Sequence, residues 1–176
     1  MIHTVVDSPL GPLTLVADDE GRLAGLYMQD QRYRPADERF GPAVTVPAGP
    51  DADPAEAVLT EAADQLQEYF AGTRRSLDVP HAPLGTPFQR AVWDALARIP
   101  YGETRTYTDV ARELGRPTAV RAVGAAIGRN PLCVVVPCHR VVGAGGALTG
   151  YAGGLVRKQR LLELENAPAG RAASGC

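Results

Sequence analysis

Three apolar-rich stretches, 2–6, 13–17 and 22–28, are separated by the turn-forming sequences DSPLGP and DDEG. Strands of that length punctuated by Pro, Gly and Asp predict a small antiparallel sheet. Residues 29–52 have no periodicity and are rich in Pro, Asp, Gly and Arg, which predicts a loop. A helical period begins after Asp53-Pro54-Ala55-Glu56, a capping residue, a first-turn proline and an acid at the third position. Val58, Leu59, Ala62, Leu66, Tyr69 and Phe70 then fall on one stripe, and Gly72 stops the helix. The prolines at 80 and 83 mark 73–84 as a linker.

The second half is mainly helical in pattern. Thr86-Pro87 opens a helix whose Phe88, Val92, Leu96 and Ile99 share a face, and IPYGETR breaks it. Thr106 and Asp109 have capping-box spacing ahead of Val110, Ala111 and Leu114, with Gly115 as the stop. Thr118 is placed to cap a third helix running through Gly128. Helix, tight turn at 115–117 and helix is the order of a helix-turn-helix. CVVVP reads as a buried strand ended by Pro137, and 155–166 as a last helix with Leu161 and Leu162 inside. The fold class is α+β, with a 1–80 domain around the sheet, a mostly helical 85–166 domain and a disordered 167–176 tail.

The third helix, TAVRAVGAAIG, has a very low surface, because Ala119, Ala122, Gly124, Ala125 and Ala126 are small and only Arg121 is long. Such a surface suits either close helix packing or entry into a nucleic-acid groove. A helix that reads major-groove bases offers several polar side chains, and this one does not. Any DNA contact should therefore use shape and phosphates, in the minor groove.

Composition narrows the classes. The 176 residues are 45% hydrophobic and 22% charged, the balance of a globular chain, and contain no apolar run of membrane-spanning length. MIHTVVDSPLG has no basic segment followed by an apolar core, so no signal peptide is expected. Cys133, Cys138 and Cys176 are odd in number and lack paired spacing, which argues against a disulfide framework or a zinc site. A reducing, cytoplasmic setting with no metal and no membrane fits best. The net charge of −2 conceals an asymmetry. Residues 1–84 hold 6 basic and 14 acidic side chains, a net of −8, and residues 85–165 hold 11 and 6, a net of +5. The basic half suits a polyanion, or is simply a solvated face.

Within that half, Cys138 is followed by His139 and Arg140. A cysteine beside valines is ordinarily a small buried hydrophobe, as expected for Cys133. Basic neighbours would instead raise the thiolate fraction of a thiol whose ordinary pKa is about 8.5. Neighbours in an extended chain point opposite ways, so His139 serves Cys138 only if the chain turns there or a water intervenes. Glu165, at the edge of the last helix's apolar face, is either the acceptor that orients His139 or a surface acid.

Taken together, IPYGETRTY, RAVGAAIGRNP, VPCHRVVGAGGALTGYAGG and RKQRLLELE resemble the O6-alkylguanine-DNA alkyltransferases. The match is closest from Thr86 to Glu165 and looser over 1–80, which resembles that family's ribonuclease-H-like N-terminal domain; the second domain is then winged-helix-like. The resemblance implies single-turnover alkyl transfer from O6-alkylguanine in double-stranded DNA, with O4-alkylthymine as a second candidate lesion. It makes Cys138 the acceptor, His139 the base through a water, Glu165 its orienting group and Asn130 the brace of the turn. Tyr107 assists nucleotide rotation and donates to the departing guanine, and Lys158 lies near the active site. Arg121 fills the gap left in the stack. Thr108, Ala122, Gly124, Ala125 and Arg129 accompany Arg121 and Tyr107 at the DNA. Val141, Leu148, Tyr151 and Ala152 line the guanine pocket. No cofactor is implied, and the protein acts as a monomer. Ala152 stands where some relatives have serine, Ile127 and Gly128 vary among relatives, and the N-terminal zinc cysteines of some animal members are missing. Two rivals are a Cys-His-Glu hydrolase, which would turn over on esters, and a non-enzymatic DNA-binding sensor, against which Cys138 itself argues.

Overall fold

The computed structural model describes residues 1–166 and divides them into two units. The expected tail and Cys176 lie outside the described residues. The first unit comprises residues 1–84 together with 131–135; the second comprises 85–130 and the residues from 136 onward.

In the first unit, β1 (Ile2–Val6), β2 (Leu13–Ala17) and β3 (Leu23–Met28) form an antiparallel sheet in the order β1-β2-β3. α1 (Pro54–Phe70) packs on β1 and β2. Its first turn carries a complete capping box, because the Asp53 side chain accepts from Glu56 N and the Glu56 side chain accepts from Asp53 N. Leu13, Leu15, Leu26, Met28, Leu59, Leu66 and Tyr69 are the buried heart of this unit. Phe70, at the end of the expected stripe, is only partly covered.

The stretch expected to be a linker is more than a connector. Leu77 and Val79 are buried, and Leu23 N donates to Pro80 O while Ala82 N donates to Leu23 O. Two prolines do not prevent this pairing, because it uses the Pro80 carbonyl rather than a missing N–H.

The second unit holds α2 (Pro87–Ala97), β4 (Arg105–Thr106), α3 (Tyr107–Glu113), α4 (Val120–Gly128), β5 (Val141–Val142) and α5 (Leu155–Leu164). α3 and α4 form the helix-turn-helix, braced by α2 through the buried Trp93, whose Nε1 donates to Ala126 O at 2.9 Å. Thr106 caps α3 as expected, and α2 opens at Thr86-Pro87 as expected, with Thr86 as its cap. Thr118 does not cap α4; the N-cap is Ala119, with no side-chain bond. The turn before it is already hydrogen-bonded, Ala119 N to Arg116 O, so the helix starts from a preformed turn.

A second correction concerns CVVVP, which is not a strand. Leu132 makes one parallel bridge to Leu26, and the chain then turns sharply. Val134 has φ +71°, a left-handed conformation that is strained for a β-branched residue, and Val135 N donates to Cys133 O. An apolar run fixes burial but not extension, and the register here is interrupted by that turn.

Candidate active site

The second unit assembles the site from three pieces of chain. β4 runs parallel to β5, Arg105 opposite Val141 and Thr106 opposite Val142, which sets Tyr107 at the start of α3 beside the strand leaving the Cys138–Arg140 turn. That turn is a 3-10 turn entered through Pro137 (φ −79°, ψ 62°), with Cys138 N donating to Val136 O at 2.8 Å. At about three residues per turn, consecutive side chains diverge by about a third of a revolution rather than pointing opposite ways. The obstacle to Cys138 and His139 working together in an extended chain is thereby removed.

Cys138 is 4% exposed and His139 fully buried. His139 Nε2 lies 2.8 Å from Glu165 Oε1, so Nε2 carries the proton it donates to the carboxylate. Nδ1 then carries a lone pair, and it is buried without a hydrogen-bond partner in the protein. Burial lowers the His139 pKa; Glu165 opposes this, and the Arg140 and Lys158 charges reinforce it. The ring is held neutral with its basic nitrogen uncommitted.

Glu165 is the C-cap of α5 and 2% exposed, which excludes the reading of a surface acid. Beside His139 it receives both arms of Arg140, Nε to Oε2 and Nη2 to Oε1, each 2.9 Å, and Gly102 N donates to Oε2 at 3.3 Å. Sequence reasoning missed the Arg140 contact. Its adjacency to Cys138 and His139 was the available signal, but a partner 25 residues away leaves none.

Asn130 is buried, and its Nδ2 donates to Val136 O at 2.9 Å, tying residue 130 to the residue two before the cysteine. Lys158 is fully buried and donates to three carbonyls, Val141 O at 2.5 Å, Thr149 O at 2.7 Å and Gly150 O at 3.0 Å. Burial pulls its pKa down to about 8, against a smaller raising effect from Cys138. The Tyr107 hydroxyl donates to the carbonyls of the same two loop residues, Thr149 at 3.2 Å and Gly150 at 3.3 Å. Burial raises its pKa, so the phenol stays a donor. Gly150 (φ +48°) has no room to spare here, because a Cβ would sit 3.3 Å from the Tyr107 hydroxyl.

Of the expected pocket residues, Val141 is buried, and Leu148 packs on Val142 and Leu162. Tyr151 and Ala152 are half-buried in the loop that Lys158 fastens. On α4, Arg121, Ala122, Ala125 and Arg129 are exposed, whereas Gly124 is half-buried against the Tyr107 ring. Thr108 is half-buried in the first turn of α3. The small residues of α4 thus do two things, Ala126 packing inward on Trp93 while Ala122 and Ala125 leave the outer face flat. Among the described residues no cluster of three His, Cys, Asp or Glu could hold a metal ion, and no helix is long and apolar enough to cross a membrane.

Two family models match the chain. Residues 1–83 match the 6-O-methylguanine DNA methyltransferase ribonuclease-like domain, and residues 87–167 match the DNA binding domain of the same family. The methylated-DNA–protein-cysteine methyltransferase of Mycobacterium tuberculosis H37Rv is 48% identical over 170 residues, covering 96% of this chain and 95% of the relative. That of Methanosarcina acetivorans is 46% identical over 165 residues, covering 94% and 98%. The crystal structure of Mycobacterium tuberculosis OGT in complex with DNA superposes with a TM-score of 0.81 at 46% identity, over 96% of each chain. The α+β architecture, with its three-stranded antiparallel sheet and helical second half, is the one expected from the sequence. On both halves and over nearly its whole length, the chain belongs to the 6-O-methylguanine DNA methyltransferase family.

Proposed function

We propose that this protein repairs DNA by direct reversal, moving the alkyl group of O6-alkylguanine onto Cys138. The observation that carries the reading is the buried pair of Cys138 and a neutral His139 whose Nε2 is committed to Glu165 and whose Nδ1 is not. Nδ1 takes the thiol proton, through a water. The thiolate attacks the alkyl carbon in line; the sulfur–carbon bond forms, the carbon–oxygen bond breaks, and the electron pair leaves with the guanine, which regains a proton. A hydrogen bond from Tyr107 to the departing base stabilises the charge that develops there. Tyr107 exchanges its Thr149 and Gly150 carbonyl partners for the base when the lesion enters.

The reacting oxygen lies inside a duplex, so the nucleotide must be extruded, at a cost of a few kcal/mol that is least for a damaged pair. Arg121 on the outer face of α4 fills the vacated space, and the flat Ala122 and Ala125 surface admits the helix to the minor groove. Thr108, Gly124 and Arg129 flank that contact. Val141, Leu148, Tyr151 and Ala152 receive the base, Asn130 braces the turn before Cys138, and Lys158 fixes the covering loop. The domain limits proposed are 1–80 and 85–166. The product is a thioether, which has no polarised carbonyl for water to attack, so each molecule reacts once. The protein works as a monomer in a reducing, cytoplasmic compartment, a reading supported by the odd number of its cysteines.

Intact-protein mass spectrometry after mixing with a duplex containing O6-methylguanine tests this. One methyl per molecule, mapped to Cys138, is expected, and a Cys138→Ser variant should bind the duplex yet gain none. Many lesions cleared per molecule, or methyl acceptance by the serine variant, would overturn the reading.

A further inference from the structure

The sequence offers Arg140 only as a basic neighbour of Cys138, yet its side chain makes three buried hydrogen bonds, two to Glu165 and one to Ile99 O. A carboxylate offers about four lone-pair sites. On Glu165, one contact comes from His139, two from the Arg140 fork and one from Gly102 N. The third arm of the guanidinium, Nη1, donates to Ile99 O at 2.6 Å, beyond the end of α2, and the group lies 5.8 Å from the Tyr101 ring centre. Tyr101 in turn donates to Leu164 O, next to Glu165. The fork is therefore pinned from two sides, and the carboxylate cannot rotate without breaking several bonds at once.

A buried carboxylate facing an imidazole with no other counter-charge draws a proton onto the ring. The imidazolium so formed has no lone pair on Nδ1 and cannot accept the thiol proton. We propose that Arg140 is a positioning residue for alkyl transfer: its two-pronged hold on Glu165 neutralises that carboxylate and so keeps His139 the uncharged imidazole the reaction needs. The proposal rests on the reading of Cys138 and His139 above.

The surroundings of His139 agree. Its own turn contributes Cys138 and Arg140; from α5 come Glu165 and Lys158; α2 packs against the turn with Val92, Trp93, Ala95 and Leu96 inward, its charged Arg90 and Asp94 being exposed. One buried anion thus stands against two buried cations, a balance that disfavours a third positive charge on the ring.

The chain has three histidines, His3, His81 and His139, so 15N-histidine labelling gives a spectrum that can be assigned and titrated without DNA. In the wild type, His139 should be neutral and Nε2-protonated at about pH 6, where an ordinary imidazole is mostly charged. Arg140→Gln should raise the proton affinity of His139 roughly tenfold or more, and the acid limb of single-turnover methyl transfer should move up with it. Arg140→Lys, which retains the charge and loses the fork, should lower the rate while leaving His139 neutral. A merely structural arginine would slow transfer without moving either titration. An imidazolium at His139 in the wild type overturns the proposal even if the Gln variant does not fold, as does an unmoved titration in a folded Gln variant. The titration uses no lesion, so its failure is distinguishable from a failure to methylate Cys138.

Discussion

The first unit buries only neutral polar groups, Thr4, Thr14, Gln31 and Gln65, among its hydrocarbon side chains, whereas the second buries His139, Arg140, Lys158 and Glu165. In the first unit, the buried amides tie loops to the core. Gln65 Oε1 accepts from Asp78 N, and Gln31 Oε1 accepts from Met28 N and the Cys133 thiol. Such groups are satisfied locally and cheaply. Ionised groups are costly to desolvate, and an apolar replacement of similar shape is often no less stable. A core that retains three of them, Arg140, Lys158 and Glu165, around a neutral imidazole is organised for chemistry, not for stability. The contrast teaches which unit tolerates change and which residues cannot be exchanged without loss of the reaction.

The largest effect expected is from Glu165→Ala, which strands Arg140 without its counter-charge. It should cost about 3–5 kcal/mol in denaturant unfolding and remove the orienting contact of His139. Leu66→Ala in the first unit should cost a comparable ~2–5 kcal/mol, yet leave single-turnover methyl transfer unchanged wherever the protein is folded. A transfer defect in Leu66→Ala equal to that in Glu165→Ala would erase the distinction between the units.

Lys158→Met sharpens the comparison through pH. The folded-state pKa of Lys158, about 8, lies below its ordinary 10.5, so the unfolded chain holds more protons between those values. Lys158 therefore makes stability rise with pH in that window. Relative to the Met variant, the wild type should gain stability from about pH 8 to 10, and a flat difference curve would contradict the burial of the charge. Methyl transfer should fall about tenfold as the Thr149 and Gly150 carbonyls lose their donor.

Asp53→Ala removes the α1 capping box and should cost only about 1 kcal/mol. The exposed Arg98–Glu113 pair should matter least, with Arg98→Ala below ~1 kcal/mol.

What could be read from the chain was what is local. The capping boxes at Asp53 and Thr106 use partners three residues away, and each is present. The valines around 134–136 were misread as a strand, because a hydrophobic run looks the same whether it extends or turns. Thr118 had the chemistry of a cap but was displaced by a turn already closed by backbone bonds. Leu77 and Val79 were lost among prolines although they are buried. At the site, family motifs pointed to His139 and Glu165, while Arg140 went unassigned because its partners, Glu165 and Ile99 O, are 25 and 41 residues away.

Lys158 is the chain's one lysine, and it is sealed from solvent. Reagents that acylate primary amines should therefore leave Lys158 untouched while the protein is folded. An acyl group mapped to Lys158 would report that the loop over the site, held through Thr149 and Gly150, had opened.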